Sequence, residues 1–250
     1  MKQSLARIRA LTGRNIKELL RDPLSLVFLI LMPLGMEILF YFLFSKLTSQ
    51  FQMKYLAPGI VVFSQSFLTL FSGLMIAVDR SSAFLTRLYV SSAKPHEFIF
   101  GYAFSLLPIS LAQSILFFVV GGIIDPSLFS ARMIAAVAVS LIPAVFFIGS
   151  GILFGSLCTE KSIGGVASIL IAGQSMLSGM WYPIDGLGKG MLTLMNVLPF
   201  RPATLLVQNL LGGVASPFDD FVKPLLIVLA YTVAIFTAAI FAFGSKMKAK

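Results

Sequence analysis

Six runs of predominantly apolar residues, at about 24–44, 57–78, 98–124, 133–157, 163–180 and 224–244, dominate the chain. Each is close to the roughly 20 residues a helix needs to cross about 30 Å of hydrocarbon. A backbone with no water around it must satisfy its own polar groups, and a helix does so within one segment. The expected fold is therefore an all-α polytopic membrane protein with six transmembrane helices in a single domain, 1–250. Charge agrees: only 12% of residues are charged, against roughly 25% in soluble domains. The first run does not read as a cleavable signal. It begins after a basic segment, is too long for a signal's apolar region, and has no small-residue cleavage site behind it.

The net charge is +9, which in another setting would point to nucleic acid. Here the basic residues lie between apolar runs, and no nucleic-acid partner is expected; the lipid bilayer is. If the N-terminus is cytoplasmic, thirteen of the nineteen Lys and Arg lie inside, at positions 2–21, 80–94, 161 and 246–250. Six lie outside, at 46, 54, 132, 189, 201 and 223. Lys and Arg concentrate on the cytoplasmic side of membrane proteins. The expected location is the cell membrane, with both termini cytoplasmic. One cysteine, Cys158, excludes an internal disulfide, and one histidine, His96, argues against a metal site.

Residues 1–22 are too polar to span. At 100° per residue Leu5, Ile8, Ile16, Leu19 and Leu20 share one face, while Arg7, Arg14, Lys17, Glu18 and Arg21 lie opposite. Arg9 breaks the pattern. This reads as an interfacial amphipathic helix on the anionic inner leaflet, or as a plain basic tail that enforces topology. Asp22-Pro23 then ends it and starts the first span, because Asp caps a helix and Pro suits its first turn.

The longest polar stretch inside the apolar region is DRSSAFLTRLYVSSAKPHEF, 79–98. Plotted as a helix, Arg80, Arg87, Ser91 and Lys94 line one side, and Phe84, Leu85, Leu88 and Tyr89 another; Pro95 ends or kinks it. A mere connector needs only a few polar residues. By amphipathicity alone the helix either docks in a partner's groove or rests on the membrane surface.

The pair Asp79-Arg80, followed by Leu85, Arg87 and Leu88, resembles the segment after the second span in membrane subunits of type-2 ABC exporters. The match departs at Ala83, Phe84, Thr86 and Ser92. The overall plan is similar too: an amphipathic N-terminal helix, six spans and an elaborate segment before the last one. The resemblance implies that loop 79–97 is a coupling helix seated on a separate ABC ATPase, with Asp79, Arg80, Phe84, Leu85, Arg87 and Leu88 at the contact. It also implies a second membrane subunit, identical or paralogous, and ATP and Mg held by the ATPase, with no cofactor on this chain.

Segment 181–223 holds two apolar pieces, near 191–198 and 203–211, too short to span and punctuated by Pro183, Pro199, Pro202 and several glycines. Irregular backbone at membrane depth survives only inside protein or beside water. The segment reads as short re-entrant helices or as an external loop with surface helices. In the resembling exporters it dips back to close the outer exit, which would put Trp181, Tyr182 and Pro183 at an external gate. Trp and Tyr also suit the headgroup level.

Glu37, in LMPLGMEILFYFLF, is the acidic residue placed well inside an apolar run. An ionised carboxylate facing lipid there is costly, so Glu37 is expected to face the bundle, a wet cavity or a partner subunit. Pro33, one turn earlier, frees a carbonyl and favours a kink. On this reading Glu37 lines the translocation path or a subunit contact. The alternative is one buried hydrogen bond or a side chain reaching the outer headgroups.

No phosphate-binding loop of the G-x-x-x-x-G-K-[ST] form occurs, and the spans carry no hydrolase constellation. Enzyme activity in this chain is not expected. The 158–161 loop is a connector or a second ATPase contact. The expected function is the permease subunit of an ATP-driven exporter, moving a hydrophobic or amphipathic drug, lipid or glycan outward by alternating access. The alternative is an ATP-independent transporter or channel.

Overall fold

A computed structural model describes residues 2–82, 95–213 and 216–248, and every regular element among them is helical. Helix α1 (Lys2–Leu20) precedes the bundle. Five helices are long and apolar enough to cross a membrane: α2 (Pro23–Phe44), α3 (Met53–Ser81), α4 (Pro95–Ile124), α5 (Ala131–Leu157) and α9 (Phe218–Gly244). Between the last two lie α6 (Glu160–Leu177), α7 (Lys189–Val197) and α8 (Phe200–Gly212). The protein is thus an all-α, multi-pass membrane protein.

The span read at 163–180 is α6, which starts three residues earlier and is the least apolar of the expected six. It opens on Glu160 and Lys161 and carries Gln174, and it does not meet the length and hydropathy of the other five. The expected pieces near 191–198 and 203–211 are α7 and α8, which meet at a bend of 79° and together are long and apolar enough for one broken span or a re-entrant loop. Pro199, the N-cap of α8, stands at the bend, where its ring cannot continue the helix before it.

Local sequence explains the helix starts. The Asp22 side chain accepts from the Leu24 backbone N–H at 3.1 Å and from the Ser25 hydroxyl, and Pro23 takes the first helical position. These bonds, that from Ser25 foremost, hold the Asp22 carboxyl below its ordinary value of 3.8. In α2 a π turn, Val27–Leu31, runs into Pro33. Pro33 cannot donate to the Leu29 carbonyl four residues back. Gln113 Nε2 of α4 fills that acceptor at 2.6 Å. The freed carbonyl therefore becomes a tie between α2 and α4.

Helix α3 is the axis of the bundle. Its most apolar window is 83% buried, against 17% for those of α2 and α9. From Leu56 through Ser66 every side chain is buried. A helix apolar on all sides belongs inside protein or lipid. Its second half crosses α5 very closely, because Gly73, Gly151 and Gly155 remove the side chains that would hold the backbones apart. A Cβ on Gly151 would stand 2.2 Å from the Thr69 carbonyl oxygen, and one on Gly155 2.5 Å from that of Gly73. The closeness lets Thr69 Oγ1 and Ser72 Oγ donate to the carbonyls of Phe147 and Ile148, at 3.0 and 3.1 Å.

Deeper in the bundle, Gln65 Nε2 of α3 donates to Ser110 and Ser114 of α4, each at 3.3 Å. Ser140 of α5 donates to Ser114 at 2.9 Å. Polar groups removed from water must find partners within the protein, and here they join three helices.

The two chain ends lie at one end of the bundle. Phe243, near the end of α9, packs on Phe98 in the first turn of α4, with ring centroids 5.6 Å apart. Gly244 approaches Pro95 there too. Helix α1 lies at this same end, alongside α4.

Candidate functional site

Asp79 and Arg80 close α3 just before residues 83–94, and they reach in different directions. The Asp79 carboxylate accepts from Arg14 Nη1 and Nη2 of α1, at 2.6 and 2.7 Å, and from the Tyr102 hydroxyl of α4 at 2.6 Å. Asp79 is buried, so the paired, bidentate geometry is what keeps its charge tolerable. Asp79, mainly through these hydrogen bonds, raises the Arg14 guanidinium above its ordinary value. Arg80 turns to α5 instead. Its Nη1 donates to the carbonyls of Gly155, Ser156 and Cys158, at 2.8, 2.5 and 3.2 Å. The last carbonyls of a helix lack partners in the helix and carry its negative dipole end, so a guanidinium fits there. Ser81 adds a hydrogen bond to Glu160, at the start of α6.

On the far side of residues 83–94, α4 begins. Glu97, in its first turn, pairs with Arg7 of α1 at 3.2 Å. Arg7 and Arg14 are seven residues apart, two helical turns, or about 10 Å along the axis. Helix α1 thus joins both feet of the segment: Arg14 holds the foot ending α3, and Arg7 holds the foot starting α4. Gly101 lets α1 come close, since a Cβ there would stand 2.9 Å from the Leu11 side chain, and Thr12 donates to its carbonyl at 3.2 Å.

This corrects the helical-wheel reading of α1. The face turned to the bundle is Leu11, Asn15 and Leu19, while Leu5 and Leu20 are exposed. Arg7 and Arg14 do not point away from the protein; their long side chains carry the charge back to carboxylates on neighbouring helices. The wheel orders residues by hydropathy, and hydropathy does not register acids elsewhere in the chain. The readable signal was the stripe Arg7, Leu11, Arg14 at helical spacing. Glu97 and Tyr102 escaped the sequence reading because nothing local sets them apart from a loop acid and a core aromatic.

Of the residues expected at an ATPase contact, the structure brings Asp79 and Arg80 together at the base of α3. Phe84, Leu85, Arg87 and Leu88 lie outside the described residues.

Glu37 is fully buried and faces the bundle, against α4. A Cβ on Gly121 would stand 3.0 Å from Glu37 Oε1 and 3.2 Å from Met53 and Leu128, which outlines its socket. Neither carboxyl oxygen has a hydrogen-bond partner among the described residues. Glu37 lies within one chain's packing in this conformation, one turn beyond Pro33.

At the opposite end, Trp181 lies in an aromatic cluster. Its ring centroid is 5.1 Å from Phe40, 5.8 Å from Phe63 and 6.4 Å from Phe51, and its Nε1 donates to Ser175 at 3.0 Å. Gln50 donates to the Tyr182 carbonyl at 2.6 Å, and the Tyr182 hydroxyl donates to the Met176 carbonyl. Pro183 is exposed. Trp181 and Tyr182 therefore join the loop after α6 to the first hairpin of the chain, while Pro183 makes no comparable tie.

An all-helical bundle of long apolar helices, with the exit of its second span clamped to its neighbours, defines a multi-pass membrane protein. Residues 6–211 match the family described as ABC-2 type transporter, and the chain belongs to that family. It is a permease subunit of an ABC transporter, a family whose membrane subunits work with an ABC ATPase and a membrane partner. No curated protein matches the chain.

Proposed function

We propose that this subunit exports a hydrophobic or amphipathic substrate, of the drug, lipid or glycan class, by alternating access. A separate ATPase binds ATP and Mg; this chain supplies the path, together with a second membrane subunit, identical or paralogous. The α1 end is the cytoplasmic end, with both termini there, and α1 lies in the membrane interface. Segment 79–97 is the coupling element. Trp181, Tyr182 and Pro183 stand at the outer exit, with α7 and α8 as its re-entrant closure.

One observation carries this reading: Asp79 and Arg80, adjacent in sequence, tie the mouth of residues 83–94 to α1, α4 and α5. A push on that segment reaches three helices through short, charged hydrogen bonds, which is what coupling to an ATPase requires. Glu37 enters the path when α2 parts from α4 about its π turn and Pro33.

Co-purification tests the reading. The wild-type chain is expected to retain an ATPase subunit in mild detergent. Arg87→Glu combined with Leu88→Asp removes an anchor of a small interface, worth on the order of 2 kcal/mol or more. The double variant should insert normally and lose the ATPase. Retention of the ATPase with normal transport shows that the segment is not the dock.

A further inference from the structure

Far from α1, at the aromatic end, three segments enclose a cavity of about 300 Å³: residues 49–55, 178–184 and 201–209. Its lining is unlike the spans around it. It presents Gln50, Lys54, Tyr55, Arg201, Gln208 and Asn209, and no carboxylate among the described residues.

Neither cation has an ion-pair partner among the described residues. Arg201 is half-buried and donates through Nη1 to the Asn196 side-chain oxygen, a neutral acceptor. Lys54 Nζ lies 5.0 Å from the Tyr55 ring centroid. The ion pairs of the described residues all lie at the α1 end. A half-desolvated guanidinium and an ammonium facing one polar cavity favour an anion. The amides around them are mostly committed to the frame: Gln208 donates to the Tyr55 carbonyl at 2.8 Å, Asn209 to that of Asp220 at 2.8 Å, and Gln50 to that of Tyr182. Gln50 Oε1 is buried away from the cavity, without a partner among the described residues. The chemistry sought is an oxyanion large and charged enough for two cations.

We propose that this cavity binds an oxyanion of the phosphate class. The Arg201 fork and the Lys54 ammonium hold the anionic oxygens. The volume exceeds that of a bare phosphate and admits a small hydroxylated group beside it. The oxyanion has two sources, a phospholipid headgroup or a soluble phosphate. On the export reading above, the cavity is where the anionic end of a substrate rests beside the outer gate. The cavity chemistry does not depend on that reading.

The chain's one tryptophan, Trp181, lies in the loop that lines the cavity and reports on it. Purified protein in neutral detergent is titrated at constant ionic strength with inorganic phosphate, with dioctanoyl phosphatidylglycerol, and with dioctanoylglycerol as the phosphate-free control. Binding of radiolabelled phosphate and of radiolabelled phosphatidylglycerol is measured in parallel, so that a silent indole does not hide the site. Saturation by phosphate identifies a soluble source, and saturation by phosphatidylglycerol alone identifies the lipid headgroup. In either case binding should weaken about tenfold or more in Arg201→Gln and in Lys54→Gln, roughly the loss of one charge-assisted bond, and should survive in Arg201→Lys. Lys54 is exposed, so its variant keeps the test open if the Arg201 variant misfolds. No saturable binding of either phosphate ligand, equal binding of dioctanoylglycerol, or unchanged affinity in the glutamine variants overturns the proposal. No ATPase is needed for this measurement, so a failed co-purification and a failed titration are separate results.

Discussion

Asp79 grips Arg14 through both of its oxygens, at 2.6 and 2.7 Å, across 65 positions of sequence. The contact joins α1 to the end of α3, and Tyr102 adds α4 to the same carboxylate. Removing Arg14 leaves a buried acid with a lost counter-ion. That costs roughly 3–5 kcal/mol for fully buried pairs. Arg14 is 35% exposed, so a smaller loss is expected, on the order of 2 kcal/mol. A double-mutant cycle of Arg14→Gln and Asp79→Asn, read by thermal melting in detergent, should show coupling well above the scatter of distant pairs. Additive effects would mean that the pair does not hold α1.

Glu37→Gln keeps shape and removes the charge. On the proposed role it inserts and binds ATPase normally but alters transport rate or substrate preference. Gly121→Ala should do the same from the other side, because its Cβ meets Glu37 Oε1 at 3.0 Å. Transport assays in vesicles decide. Wild-type transport in both Glu37→Gln and Glu37→Ala would reduce Glu37 to a packing residue.

The α3–α5 crossing predicts a sharp contrast among glycines. Gly151→Ala places a Cβ 1.9 Å from Ser72 Oγ, and Gly155→Ala collides with the Gly73 backbone. Each should lower stability by about 1–3 kcal/mol or more. Gly164→Ala, with nothing within 4 Å of its Cβ, should be neutral or gain up to about 1 kcal/mol from helix propensity. Similar melting shifts at all three sites would contradict the packing described.

Asp22 gives a pH signature. Its carboxyl is held below its ordinary 3.8 in the fold, so its contribution is present above that pH and fades as pH falls through the lower folded value. Asp22→Ala should cost about 1 kcal/mol at neutral pH. The gap between variant and wild type should close in acid. A gap that does not narrow as the pH is lowered from neutrality through the folded value would exclude the cap as its cause.

Topology is open to thiol labelling in a Cys158→Ser background. Ser216→Cys should react with an impermeant reagent from outside intact cells, and Lys248→Cys should not. Reversed labelling would place the α1 end outside and remove the ATPase assignment with it.

Much of the architecture was legible because length and hydropathy alone answer the demands of a bilayer. The apolar runs, the Asp22-Pro23 start of α2 and the broken piece around Pro199 follow from backbone satisfaction, capping and the proline ring, all local effects. The close crossing at Gly151 and Gly155 came from the tertiary structure, which set them against Gly73 and Thr69. The site divides the same way. Asp79 and Arg80 stand out in sequence as a charged pair at a span's end; that they point to different helices depends on where α1 and α5 come to lie. Glu37 had to avoid lipid, yet only the packing of α2 on α4 put it against Gly121. Lys54 and Arg201 are nearly 150 positions apart, and their shared cavity exists because the loop after α6 folds back over the first hairpin. Hydropathy and helix caps act within a few residues, so sequence determines the spans; charges act through space, so only the tertiary structure decides which of them meet.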